Sequence, residues 1–157
     1  MSLDPSGIAV PNITGTYAAT IALTVTNEFE VRRDTLGATL RLRRGAAPGD
    51  FTGTYTIAPA DSGPFGGIVM ADGTLWLTTF GPTARPIAGV SHIRALYSWC
   101  DFTRLGAPLT RGTLTGDTLR ASVQGALPCL YQLDGSTLIT HTDLLMQLDA
   151  VRGPGTP

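Results

Sequence analysis

The sequence predicts an all-β domain: an antiparallel meandering β-barrel of about eight to ten strands, with a β-sandwich as the alternative. Three observations predict this class. Apolar and polar residues alternate with a period of two from Ile13 to Arg32 and again in several later stretches. Only 15% of the residues are charged, and 19 glycines and 11 prolines divide the chain into short segments. No strong helical pattern interrupts this organisation, so turns are expected to join the strands.

The length of 157 residues predicts one domain with a single core. We expect a flexible N-terminal arm or tether at residues 1–12, one barrel domain at residues 13–152 and a tail at residues 153–157. The uncharged stretch from Pro5 to Asn27 could indicate a membrane span. Its recurring threonines and its alternation favour a strand instead.

The first strand is expected to begin at Gly15. Its alternation keeps the same parity as far as Arg32, which predicts either one long, bent strand or a bulge near Asn27. A turn at residues 33–35 then leads into a second strand at residues 36–43. The two strands should form a long antiparallel hairpin.

Turn residues delimit the later strands. Asp72-Gly73 and Asp134-Gly135 favour the positive φ angles of tight turns, and Gly116-Asp117 marks a third turn. The last stretch could instead hold a helix from Asp143 to Val151, because its leucines also fit a helical spacing. The strands predicted between the turns cover residues 51–57, 65–70, 74–80, 93–100, 111–115, 118–123, 129–132 and about 138–151.

Both ends of the predicted barrel carry a family-like feature. Gly15-Thr16-Tyr17 begins the first strand, and Arg152 stands near the end of the last one with the same inward parity. This arrangement resembles the lipocalin-like (calycin-type) barrels, including the lipocalin-like lipoproteins of bacteria, in which Gly-x-Trp begins the first strand and an Arg packs across the Trp. Here Tyr17 replaces the Trp, and no clear terminal helix follows. The resemblance implies a closed barrel with an apolar cavity, and structural roles for Gly15 and Arg152.

Two cysteines, Cys100 and Cys129, are expected in or beside strands. We predict a disulfide that staples neighbouring strands, with two buried thiols as the alternative. A disulfide would require an oxidising compartment. We therefore expect an extracytoplasmic protein, either secreted, periplasmic or a surface lipoprotein whose native precursor carries the lipid anchor. The protein is not expected to span a membrane.

Catalytic and metal chemistry find little support in the sequence. His141 and Asp143 share one strand face, which the parity makes the outer one, and two histidines with distant carboxylates do not make a metal-ligand motif. No serine stands in a recognisable nucleophile setting. We therefore predict no enzyme activity, no metal and no cofactor. An enzyme whose site uses Tyr or Asp residues in the barrel mouth is the third option, after the two binding and structural functions given below. The net charge of −1 gives no whole-chain attraction for nucleic acid.

Aromatic residues with inward parity are the candidate ligand-binding set. Their phenol and indole groups could orient a small apolar ligand inside the barrel, although core packing explains them as well. Non-catalytic binding of such a ligand is the predicted function. The ligand-binding residues predicted from this set are Tyr17, Phe29, Tyr55, Tyr97 and Trp99, with Phe51 as a further inward aromatic.

The alternative function is a structural, adhesive or assembly module with a filled barrel. Such a module would act through its surface, its strand edges or its N-terminal arm, where Ile8 to Val10 could add a strand to a neighbouring subunit. A local basic set on the predicted hairpin lies close to Glu28, Glu30 and Asp34; it consists of Arg32, Arg33, Arg41, Arg43 and Arg44. Cross-strand ion pairing and an anionic partner explain it equally well. The oligomeric state is left open.

Overall fold

A computed structural model of the chain describes residues 2–3, 9–57, 61–80, 99–100 and 110–154. All regular structure in these ranges is β-strand, as predicted. The strands are β1 (Ser2–Leu3), β2 (Ala9–Val10), β3 (Gly15–Thr26), β4 (Val31–Arg44), β5 (Asp50–Ile57), β6 (Asp61–Val69), β7 (Thr74–Phe80), β8 (Trp99–Cys100), β9 (Thr110–Thr115), β10 (Thr118–Leu133) and β11 (Ser136–Arg152).

Eight antiparallel strands form a closed barrel, which confirms the predicted class. They meander in the order β3-β4-β5-β6-β7-β9-β10-β11, and β11 then pairs with β3 to close the sheet. The short strand β8 pairs with the distal part of β10. Within the described part of the chain, strands β1 and β2 pair only with each other.

The alternate residues of the strands face the barrel interior and are buried. In β3, every second residue from Gly15 to Val25 is buried, and the residues between them are half-buried or exposed. The same parity continues across the sheet, because antiparallel partners point to the same face. The largest fully buried side chains are Tyr17, Tyr55, Phe51, Phe65, Ile13, Ile21, Leu23, Leu40, Leu75 and Leu77.

The first hairpin turns earlier than the alternation predicts. Strand β3 ends at Thr26, so a strand through to Arg32 and a turn at residues 33–35 are both wrong. The side chain of Asn27 explains the difference. Its Oδ1 atom accepts the backbone N–H of Phe29 at 2.7 Å and that of Glu30 at 2.9 Å. Such a local bond offers the backbone an alternative to the ladder and begins a turn.

The last hairpin is longer than predicted. Strand β10 runs through Pro128 as one strand instead of two short pieces, and β11 is a strand throughout, which excludes the helix alternative. Proline lacks an N–H, and β10 pairs with no second described strand between Ala121 and Cys129. On the edge of β10 that faces away from β11, the proline therefore removes no hydrogen bond to a described strand.

A close backbone approach fixes Gly53 in β5. A β-carbon at this position would lie 1.9 Å from the carbonyl oxygen of Arg41 on β4. Since such a contact requires the backbone to move, only glycine fits the observed register, in which Leu42 faces Gly53. By contrast, a β-carbon added at Gly37, which lies on β4, would have no atom within 4 Å.

We expect Gly53→Ala to lower the free energy of unfolding by about 1–3 kcal/mol, because the methyl group displaces the β4 backbone. Gly37→Ala is the matched control and should change stability by less than about 1 kcal/mol in either direction. Urea denaturation followed by circular dichroism measures both. Equal effects of the two substitutions would contradict the close-approach argument.

Candidate functional site

One end of the barrel is closed by the guanidinium group of Arg152. Its Nη1 donates to the carbonyl oxygens of Asn12 at 2.8 Å and Thr14 at 2.9 Å. Its Nε donates to Asp117 Oδ1 at 2.9 Å, and its Nη2 donates to the carbonyl oxygen of Gly116 at 3.2 Å. One side chain thus ties together the segment before β3, the β9–β10 turn and the end of β11.

Tyr17 lies beneath this arginine. The Cζ atom of Arg152 is 5.5 Å from the centroid of the Tyr17 ring, the contact that the family resemblance implies. The Tyr17 hydroxyl donates to the carbonyl oxygen of Ile13 at 2.8 Å. Burial raises the pKa of this hydroxyl above its ordinary value of 10.0, and the positive charge of Arg152 partly opposes the rise. This end of the barrel is therefore a packed and hydrogen-bonded closure.

Among the predicted ligand-binding residues whose side chains are described, Tyr17, Phe29 and Tyr55, the structure does not place all three in the barrel interior. Tyr17 and Tyr55 are buried in the core. The inward placement of Phe29 is wrong: it lies in the β3–β4 turn, its side chain is 41% exposed, and its ring stacks on Tyr131 at 5.3 Å. Tyr97 lies outside the described residues, and for Trp99 only the backbone of β8 is described.

Two pockets formed by described residues open on the outer face of the barrel. The larger has a volume of about 440 Å³ and spans β3, β4 and β5 near the Arg152 end. None of the buried aromatic side chains lines either pocket. We call the larger pocket the basic groove; its lining residues are Thr14, Gly15, Thr16, Arg41, Leu42, Arg43, Thr52, Gly53 and Thr54.

The charge in the basic groove is positive and uncompensated by its lining. Arg41 and Arg43 line it, and no lining residue is acidic. The expected ion pairing occurs elsewhere on the hairpin, where Arg32 Nε lies 2.7 Å from Glu30 Oε1 at the turn end of β4. The groove arginines stand nine and eleven residues further along, so the alternative of ion pairing does not hold for them within the described chain.

The second pocket, of about 290 Å³, lies on the outer face of β9, β10 and β11, and its arginines are engaged. Arg120 Nε lies 2.9 Å from Asp149 Oδ1. The guanidinium carbon of Arg111 lies 5.6 Å from the centre of the Trp76 ring. These internal partners leave the basic groove as the stronger candidate for a ligand.

The predicted disulfide is present, with a Cys100–Cys129 Sγ–Sγ distance of 2.08 Å. It joins β8 to β10 at the position where the two cysteines face each other in the ladder. His141 Nε2 lies 3.4 Å from Asp143 Oδ1 on the exposed face of β11. Among the described residues, no group of three potential metal ligands comes together, and no helix is long and apolar enough to cross a membrane.

Arg152 should contribute far more stability than an exposed arginine. Its side chain is only 14% exposed and donates hydrogen bonds to three backbone carbonyl oxygens. Removing the guanidinium group would leave these three oxygens without their donor. We expect Arg152→Ala to lower the free energy of unfolding by about 2–4 kcal/mol.

The matched control is Arg120→Ala, which removes a pair whose side chains are 71% and 64% exposed. It should cost less than about 1 kcal/mol, because solvent screens such pairs. Chemical denaturation measures the free energy of unfolding of both variants. An Arg120→Ala variant that is destabilised as much as Arg152→Ala would contradict the role of Arg152 in closing the barrel end.

The raised pKa of Tyr17 predicts a loss of stability in alkali. In the unfolded chain the Tyr17 hydroxyl loses its proton near the ordinary pKa of 10.0, whereas in the folded protein it keeps the proton to a higher pH. The stability that comes from this raised pKa is therefore complete below about pH 10 and is lost as the pH rises through the pKa of the folded protein. We expect Tyr17→Phe to be less stable than the parent at neutral pH. The difference should shrink above about pH 10 in urea denaturation curves. If the difference in stability between the parent and Tyr17→Phe stays constant up to about pH 11, the prediction is wrong.

Comparison of the chain with protein-family models gives no match, and comparisons with curated proteins and with solved structures give none either. The closed antiparallel meander of eight strands is consistent with a lipocalin-like barrel fold.

Proposed function

We propose that the protein is a non-catalytic, extracytoplasmic binding module that recognises its ligand on the outer surface of a filled barrel. One observation carries this proposal: the aromatic core is buried and packed, while both pockets described above open outward. This is the surface-acting alternative from the sequence, with the basic groove as its site.

The packing of the interior argues against a ligand held inside the described barrel. Tyr17 uses its hydroxyl to bond the carbonyl oxygen of Ile13 and uses its ring to support Arg152. The rings of Phe51 and Phe65 contact each other, with centroids 6.2 Å apart. Small barrels are commonly filled by their own side chains in this way. Aromatic side chains that already have partners are poor candidates for binding an apolar guest.

A non-catalytic role is supported by the surroundings of His141. Its side chain and that of Asp143 are both exposed, at 72% and 64%, and neither lines the pockets. General acid–base catalysis uses a base held within reach of a bound substrate. An exposed pair on a flat strand face provides no such position.

The disulfide supports an oxidising compartment. The lipocalin-like arrangement of Tyr17 and Arg152 supports a relationship to the secreted and lipid-anchored barrels of that type. We therefore include secretion or surface anchoring in the proposal.

An apolar fluorescent probe tests the filled interior. We expect 1-N-phenylnaphthylamine to show no saturable uptake by the native protein, because the aromatic side chains of the described core are buried and already have partners inside the protein. Uptake at one site per chain that is reduced by the core-filling substitution Ala150→Leu would return the binding site to the interior and overturn the proposal.

A further inference from the structure

We propose that the basic groove binds a tetrahedral oxyanion, a phosphate or sulfate group, through Arg41 and Arg43. This inference rests on the proposed function, since it names the ligand class of the same site.

The two arginines lie on the same outer face of β4. They are two residues apart, with the inward-facing Leu42 between them, so their α-carbons are separated by about 6.6 Å. Guanidinium groups present planar forks of N–H donors that match the oxygen atoms of phosphate and sulfate. Two such groups at this spacing can engage one anion from two sides.

Threonine hydroxyls flank each arginine. Arg41 stands between Thr16 on β3 and Thr54 on β5 in the register of the sheet. Arg43 faces Thr52, and its Nε lies 3.4 Å from the Thr52 hydroxyl oxygen. The groove thus combines charged donors with neutral hydroxyls that can also donate. This donor set suits an anion and provides no carboxylate for a cation.

The strand register keeps the acidic residues of the hairpin away from the groove. Glu30 and its partner Arg32 stand at the turn end of β4. Arg41 is nine residues beyond Arg32, which corresponds to roughly 30 Å of extended strand. The screening length in physiological salt is only about 8 Å, so these carboxylates do not neutralise the groove.

An NMR titration of the full chain with inorganic pyrophosphate and with inorganic sulfate, at constant ionic strength, tests the assignment. We expect saturable shifts of the Arg41 and Arg43 Nε–H signals and of the backbone around Gly53. Arg41→Gln and Arg43→Gln should each weaken binding about tenfold. Arg33→Gln is the matched control: Arg33 is an exposed arginine on the same strand and the same face, outside the groove. It should change affinity by less than about twofold.

A second arm identifies the source of the oxyanion. Sedimentation with vesicles of phosphatidylglycerol, compared with phosphatidylcholine vesicles, detects a lipid headgroup. Binding to free anions alone, or to the anionic vesicles alone, supports the assignment if Arg41→Gln weakens it and Arg33→Gln does not.

Two results would overturn the assignment. One is the absence of saturable binding in both arms; the other is an equal loss in Arg33→Gln and Arg41→Gln, which indicates general charge attraction. If either result occurs while 1-N-phenylnaphthylamine still shows no uptake, the oxyanion assignment is wrong, but the proposed binding function on the outer surface is not contradicted. Saturable probe uptake inside the barrel would instead remove the proposed function itself.

Discussion

The pairing of the first and last barrel strands is the constraint on which the rest of the structure depends. Strands β3 and β11 face each other over ten consecutive positions, from Tyr17 opposite Arg152 to Thr26 opposite Asp143. Closure removes the two edges that an open sheet of this length would expose. It also separates an inside from an outside, so the alternate residues of every strand must fill a limited volume. The inward-facing core and the outward-facing pockets both depend on that single pairing.

Much of the fold can be predicted from the sequence, because strand period and turn chemistry are local properties. The Asp72-Gly73 and Asp134-Gly135 turns lie between strands where the sequence places them. The first turn could not be located by period alone, since Phe29 and Val31 happen to keep the parity of β3. The hydrogen bonds of one Asn27 side chain decide that position, and they act against the pattern.

The candidate site was less accessible to prediction, because register is a non-local property. The sequence shows a basic segment near three acidic residues, and nearness along the chain suggests ion pairs. In the folded sheet, Glu30 pairs with Arg32 at one end of the hairpin, while Arg41 lies at the other end between threonines from two different strands. The groove exists only once three strands are aligned. Its arginines could be recognised from the sequence, but its threonines and its volume could not.

The disulfide has a further consequence for the integrity of the chain. The covalent bond between Cys100 and Cys129 encloses residues 101–128, which include all of β9 and most of β10. A protease that cuts the backbone once within this interval would leave both fragments joined as one molecule. Separation of the fragments would then require two events, cleavage and reduction, in addition to breaking the ladders that β9 and β10 form with β7 and β11. The barrel is thus able to tolerate a nick in a setting where proteases are present and reductants are scarce.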